Sequence, residues 1–468
     1  MFSFLLQRSD KITRKKIITL AIPIMINGIV QQVQILTDCA FLGHINSDFF
    51  SAVGNVFFPF FLCMGQLWVL PTGTTVLIAQ SIGAGKTQNG RSIAESSLKF
   101  NSLISVLFFL IWFLFSQPIL LAIGVKEPIL SPALDYVNIL CFLFLTMGID
   151  VTASGIMHGV GISKPLMHIG IMRSLLNIIL DWIMIYGKFG FPAMGIKGAA
   201  LATVISNLAG IPVILFIVFK AGHLPFKLCF RSTFFASWKN YLPALKLSLP
   251  SSGEELLWHG GNLILVWMLN TIGKQAAGIY SLIMQIESTP VFLYIGIAKA
   301  AQTLVGNRTG EGNNTLAIQD GLQCLRYTLY LCLAFVILFI FTPAPILRIF
   351  TRDTDLINTV VPFLMIAGIY LLPKAVNITI GHGIRGYGDT RWMLFTQIFG
   401  FVFITSAAAF IMFRLKSGIL GLFIAIGLDE SIRAIVNFTR FFKGHKGKRP
   451  FSIDDSQIEC PALTSKVP

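Results

Sequence analysis

Long apolar runs alternate along the chain with short polar or Gly/Pro-rich breaks. They fall at 17–43, 51–82, 93–123, 133–158, 166–186, 198–219, 243–269, 276–304, 321–349, 357–384, 392–413 and 418–442. A helix that crosses a bilayer takes about 20 apolar residues, so the pattern predicts twelve of them. Within stretches such as 103–115 and 329–341 the apolar residues are continuous. A membrane β-barrel would instead show segments of about ten residues with alternating polarity, which excludes that architecture. The predicted fold class is an all-α polytopic membrane protein.

The chain also repeats itself. A shift of 227 residues aligns Leu20-Ala21-Ile22-Pro23 with Leu247-Ser248-Leu249-Pro250, Gly83-Ala84-Gly85 with Gly310-Glu311-Gly312, and Pro118-Ile119-Leu120 with Pro345-Ile346-Leu347. Gly159-Val160-Gly161 meets Gly386-Tyr387-Gly388 at the same offset. Each half holds six helices, an even number, so both enter the membrane from the same side and form parallel repeats. The predicted organisation is a cytoplasmic N-terminal segment at 1–16, a six-helix bundle at 17–219, a cytoplasmic linker at 220–242, a second bundle at 243–442 and a cytoplasmic tail at 443–468. Two like-oriented halves around a central cavity are a design for alternating access.

Composition agrees with a lipid solvent. Of 468 residues 54 % are apolar and 12 % charged, with 41 Phe against 21 acids, where soluble proteins average roughly 25 % charged. A net charge of +15 raises the question of a nucleic-acid partner, but the basic residues sit in short groups between apolar runs, as in Arg14-Lys15-Lys16 and Lys446 with Lys448-Arg449. Lys and Arg favour the N-terminal segment, the even-numbered loops and the tail over the odd-numbered loops by roughly three to one, the bias of cytoplasmic segments. Both termini are therefore expected inside a plasma (inner) membrane, in a multi-pass, monomeric protein with no removed signal peptide and no nucleic-acid partner. The tail after Pro450 reads as disordered.

Several motifs lead nowhere. Seven cysteines, an odd number without metal-ligand spacing, read as free thiols. Gly85-Lys86-Thr87 imitates the end of a phosphate-binding loop, but its first glycine would fall on Gln80, so no nucleotide is expected. The seven His have no zinc-binding spacing, and neither a serine nucleophile turn nor a helical zinc pair with a base is present. No cofactor and no enzymatic activity are expected.

Ionisable groups at membrane depth cost about 2.5 to 3.5 kcal/mol each, which makes them functional candidates by default. Asp38 lies late in the first helix. Asp181 lies four residues after Asn177 in the fifth, on the same helix face. Carboxylate and amide oxygens suit a hard cation, and two close carboxylates can instead share a proton. The positions 227 residues later are Leu265, Ile404 and Ala408, so the second half lacks such a set. The bland alternative is that Asp38 and Asp181 pair with Arg173. Gln34 offers either a substrate hydrogen bond or helix packing. Lys374 is expected to pair with Glu254 or Glu255, with contact to an anionic substrate or snorkelling as alternatives. Asp150, Glu287 and Asp429-Glu430 would line a cavity or neutralise Arg433. Gln34, Arg173, Glu255 and Lys374 are the candidate substrate-cavity residues.

The chain resembles the multidrug and toxic compound extrusion (MATE) family over about residues 15–442. The resemblance is carried by Pro23 with Thr37-Asp38 and Leu42-Gly43, by the loop AQSIGAG at 79–85 and its repeat partner LVGNRTGEG at 304–312, by GIKGAALATVIS at 195–206 and by IRGYGDTR at 384–391. It implies exchange of bulky, often cationic amphipathic compounds against sodium or protons. The DNA-damage-inducible F branch is the most similar. Its cation site implies roles for Asp38, Asn177, Asp181 and, from the sixth helix, Thr203. Another branch places acids in the seventh and tenth helices; here Lys374 occupies the tenth-helix position. The resemblance also leaves a rival, a flippase for a lipid-linked precursor, which would want cationic residues such as Lys374 and Arg173. The coupling ion is sodium or a proton; Arg173, one turn from Asn177, weighs against sodium.

Overall fold

The computed structural model describes residues 11–43 and 47–443. The first ten residues, His44 and the tail with Lys446, Lys448 and Arg449 lie outside them. Among the described residues there is no strand. In chain order the helices are α1 (Lys11–Gly43), α2 (Ser47–Val69), α3 (Thr72–Gly83), α4 (Thr87–Ala122), α5 (Leu130–Leu140), α6 (Leu143–Val160), α7 (Lys164–Tyr186), α8 (Ile196–Phe219), α9 (Phe230–Phe234), α10 (Trp238–Ile272), α11 (Lys274–Gly310), α12 (Asn314–Phe341), α13 (Pro343–Leu347), α14 (Thr354–Gly386), α15 (Thr390–Ala409) and α16 (Ile419–Phe442).

Each apolar run falls on one helix or on a broken pair. The run 51–82 becomes α2 and α3, broken beside Pro71, which lacks the N–H a continuous helix would need. The run 133–158 becomes α5 and α6. Among the described residues ten spans are long and apolar enough to cross a membrane; α10 and α16 match them in length but carry Glu254, Glu255, Asp429 and Glu430. The 220–242 stretch is more ordered than a simple polar linker. It holds α9 and the start of α10, and Glu95 of α4 accepts hydrogen bonds from Ser232 Oγ at 2.5 Å and the Cys229 amide at 3.3 Å.

Two compact units divide the described residues, one of Ile26–Leu249, the other joining those from Pro250 onward to those up to Met25. Helices α1 and α10 therefore change unit part-way, near Pro23 and at Pro250, positions that the 227-residue shift equates. In the second unit Ile17, Leu20 and Ala21 of α1 are buried with Ile297, Ala300 and Leu304 of α11. A Cβ on Gly296 would lie 2.4 Å from Met25 Cγ, so only glycine allows that approach.

The two units share one plan. In the first, α6 packs on α3, α4 and α8; in the second, α14 packs on α11, α12 and α16. One pair of close helix crossings is repeat-equivalent as well. A Cβ on Gly159 would lie 2.8 Å from the Thr75 carbonyl oxygen, and one on Gly386 2.6 Å from that of Gln302. Gly85 and Gly312 end their helices with φ of 72° and 74°, and Gly161 and Gly388 with 88° and 87°, a backbone region that glycine enters without steric cost. On α4, Leu103, Leu107, Leu110 and Leu114 are exposed, a helical stripe suited to lipid.

Candidate functional site

Helices α1 and α7 lie together in the first unit because small and polar residues let them. A Cβ on Gly170 would collide with Asn27 Oδ1 at 1.7 Å. Further along, Ser174 Oγ donates to Gln34 Oε1 at 2.7 Å, and the Tyr186 hydroxyl donates to the Phe41 carbonyl at 3.2 Å. Helix α8 is brought against α7 by Gly198, whose Cβ would lie 2.7 Å from the Met184 backbone.

Between these contacts Asp38 of α1 faces Asp181 of α7, close enough for their carboxyl groups to interact directly. Asn177 and Asp181 are completely buried. Asp38 Oδ1, Asn177 Oδ1 and both carboxyl oxygens of Asp181 are buried without a hydrogen-bond donor among the described residues. Such orphaned acceptors are rare in folded proteins. Thr203 of α8 donates to the Ala199 carbonyl at 3.0 Å and accepts from Asn177 Nδ2 at 3.5 Å. This bond takes up the amide nitrogen of Asn177 and leaves its oxygen free. Three acidic or amide side chains thus present four oxygens, a donor set that fits a hard monovalent cation or a shared proton.

The repeat positions in the second unit are filled with hydrocarbon. Leu265 and Ala408 belong to its buried core, and Ile404 packs against it. The asymmetry seen in the sequence is thus also one of packing.

Arg173 lies two turns before Asp181 on α7, but pairing with Asp38 or Asp181 is not its fate. Its Nη1 lies 2.8 Å from Asp150 Oδ1 of α6. Its Nε occupies the space a Cβ on Gly210 would take, at 1.8 Å. This also corrects the expectation for Asp150, since Arg433 pairs instead with Asp429 at 2.6 Å and with Glu430 at 3.5 Å. Arg433 in turn lies over Gly400, where a Cβ would meet its Cδ at 2.9 Å. Gly400 is the repeat partner of Arg173, so the guanidinium comes from one helix of the α7/α8 pair in the first unit and from the other helix of the α15/α16 pair in the second.

The remaining candidates, Glu255 and Lys374, lie in the second unit. Glu255 is 3.4 Å from His259, one turn on. Lys374 does not pair with Glu254 or Glu255: its Nζ is 2.6 Å from Glu287 Oε2, and Tyr370 donates to the other oxygen of Glu287. Glu254 is held by Arg385 at 2.6 Å. Sequence reasoning missed Asn377, which donates to Glu430 at 3.0 Å and accepts from Asn437 at 2.7 Å. The repeat shift offered a signal, since it pairs Asn377 with Asp150.

A duplicated bundle of twelve predicted spans, with orphaned carboxylates at membrane depth in one half, defines the class: a polytopic membrane protein built from two parallel repeats. The profile of the MatE family matches residues 23–183 and 250–411, two stretches that start 227 residues apart. Over 447 residues the chain is 30 % identical to a protein of Thermotoga maritima named probable multidrug resistance protein NorM, covering 93 % of this chain and 94 % of that one. It is 25 % identical to the uncharacterized transporter YisQ of Bacillus subtilis, over 80 % of this chain and 82 % of the relative. Among solved structures it superposes with a TM-score of 0.86 on an outward-facing multidrug resistance MATE transporter, at 23 % identity over 94 % of this chain and 97 % of the other. The chain belongs to the MatE family.

Proposed function

We propose that this protein is a cation-coupled antiporter that exports organic, amphipathic or cationic compounds by alternating access, and that within the family it sits in the DNA-damage-inducible F branch. The observation that carries the reading is the set of four partnerless buried oxygens on Asp38, Asn177 and Asp181. Those residues would hold the coupling cation, with Thr203 turning the Asn177 oxygen toward it. A buried carboxylate pair without a counter-ion is costly to keep and has a use where a cation comes and goes. The relatives' names as multidrug resistance proteins support the substrate class.

Sodium and protons both suit the site. The objection that Arg173 would repel sodium loses force, because Asp150 neutralises it. The flippase reading loses support for a similar reason, since Arg173 and Lys374 are each committed to a carboxylate. The proposed location is the plasma (inner) membrane with both termini cytoplasmic, the protein acting as a monomer without nucleotide or cofactor. The test is transport of a panel of fluorescent cationic dyes in proteoliposomes lacking ATP. A sodium or a proton gradient directed opposite to dye movement should drive it, and dye alone should release the same cation. Dye movement that ignores both gradients and follows ATP would overturn the proposal.

A further inference from the structure

The second unit contains more buried acid than the first, and its acids are arranged unlike the Asp38 and Asp181 pair. Glu254, Glu287, Asp429 and Glu430 all have a fixed basic side chain within 3.5 Å: Arg385 at 2.6 Å, Lys374 at 2.6 Å, and Arg433 at 2.6 and 3.5 Å. Among the described residues Asp38 and Asp181 of the first unit have no basic side chain within that distance and face each other. The one primary ammonium in this network, Lys374, rises from the middle of α14 beside a cavity of about 70 Å3. Trp258, Tyr280 and Phe401 form its apolar wall, and Gln397, Glu430 and Arg433 share its polar side with Lys374. The Lys374 ammonium also lies 5.5 Å from the Tyr370 ring centre, a distance at which a cation is attracted to the aromatic face. Carboxylate, phenol oxygen and ring together are the surroundings a small monovalent cation would choose.

We propose that Lys374 is a covalently tethered cation: it satisfies a cation site in the second unit permanently, so that coupling exchange is confined to the first. This rests on the antiporter reading and adds to it the number of exchangeable cations and the reason one half of the molecule has none. It also predicts a latent site. Removing the ammonium while keeping Glu287 leaves a buried carboxylate, a phenol and an adjoining cavity able to accept a free cation.

The experiment counts cations on the purified full-length protein, as radiolabelled sodium retained and as protons absorbed when unbuffered protein is shifted from alkaline to neutral pH. Wild type, Lys374→Met, the Lys374→Met/Glu287→Gln double variant and Asp181→Asn are compared. Lys374→Met should take up one cation more per protein than wild type, and the double variant should return to the wild-type count. An unchanged count in folded Lys374→Met, or an extra cation that persists in the double variant, overturns the proposal. Should Lys374→Met fail to fold, Lys374→Ala is prepared with ethylammonium. Recovery of a folded protein by ethylammonium but not by equal tetraethylammonium supports the tethered cation, and no recovery by either overturns it. Equal counts in wild type and Asp181→Asn would instead sink the coupling site in the first unit, without touching the difference that Lys374 makes.

Discussion

Asp181→Asn is the sharpest perturbation, because the structure predicts opposite effects on stability and on coupling. Both carboxyl oxygens of Asp181 are buried without a partner, and a buried unsatisfied polar group costs about 1 to 3 kcal/mol, more when charged. An amide of the same shape removes the charge and brings an N–H2 that can donate to the orphaned Asp38 Oδ1. The cation-free variant should therefore be more stable than cation-free wild type by about 1 to 3 kcal/mol. A cation at a hundred times its dissociation constant stabilises a protein that binds it only when folded by about 2.7 kcal/mol. Wild type should gain that much as the coupling cation is raised, and Asp181→Asn almost nothing, so the two curves converge. The assay is thermal unfolding in detergent, followed by tryptophan fluorescence, in graded sodium at fixed pH and then in graded pH at fixed sodium. Dye transport is measured on the same preparations and should be lost in the variant. A variant less stable than cation-free wild type, or one whose stability rises with the cation as steeply as wild type, would refute the reasoning.

Glu254→Gln takes the carboxylate from the half-buried Arg385 guanidinium and should cost about 1 to 3 kcal/mol of stability, whereas Glu255→Gln, which lies 3.4 Å from His259, should cost less; chemical unfolding of the two variants makes the comparison. The exposed Cys229 thiol is held below its ordinary pKa by hydrogen bonds from the Ser232 and Arg231 amides to its sulfur, which favour the thiolate. Its alkylation by iodoacetamide, read by peptide mass spectrometry, should therefore be half-maximal at a lower pH in folded than in unfolded protein, and coincident profiles would contradict this. Single cysteines replacing Phe189 and Lys416, repeat-equivalent loop residues that both have φ of 55°, should both react with an impermeant reagent added outside cells, and reaction of only one would break the parallel-repeat topology.

The solvent, the number of spans and the duplication are all legible in the amino-acid order. Apolar run length is set by bilayer thickness and by nothing that tertiary packing can change. The 227-residue shift survives in the structure where its anchors are glycines. Gly85, Gly161, Gly312 and Gly388 adopt left-handed backbone, and Gly159 and Gly386 sit where a Cβ would strike a neighbouring carbonyl, so such positions are legible one residue at a time. The i, i+4 spacing of Asn177 and Asp181 was legible for the same local reason. Helix ends were less so: α4 starts at Thr87 and α11 runs to Gly310, beyond the apolar runs, because backbone hydrogen bonding continues past the point where side chains become polar. The partners of the charges, by contrast, are set by helix packing. Whether Arg173 meets Asp181 or Asp150, and whether Lys374 meets Glu255 or Glu287, depends on which helices touch and at what depth. No local pattern encodes that choice. It follows from glycines such as Gly210 and Gly400, whose missing side chains leave the room that a guanidinium from the neighbouring helix fills.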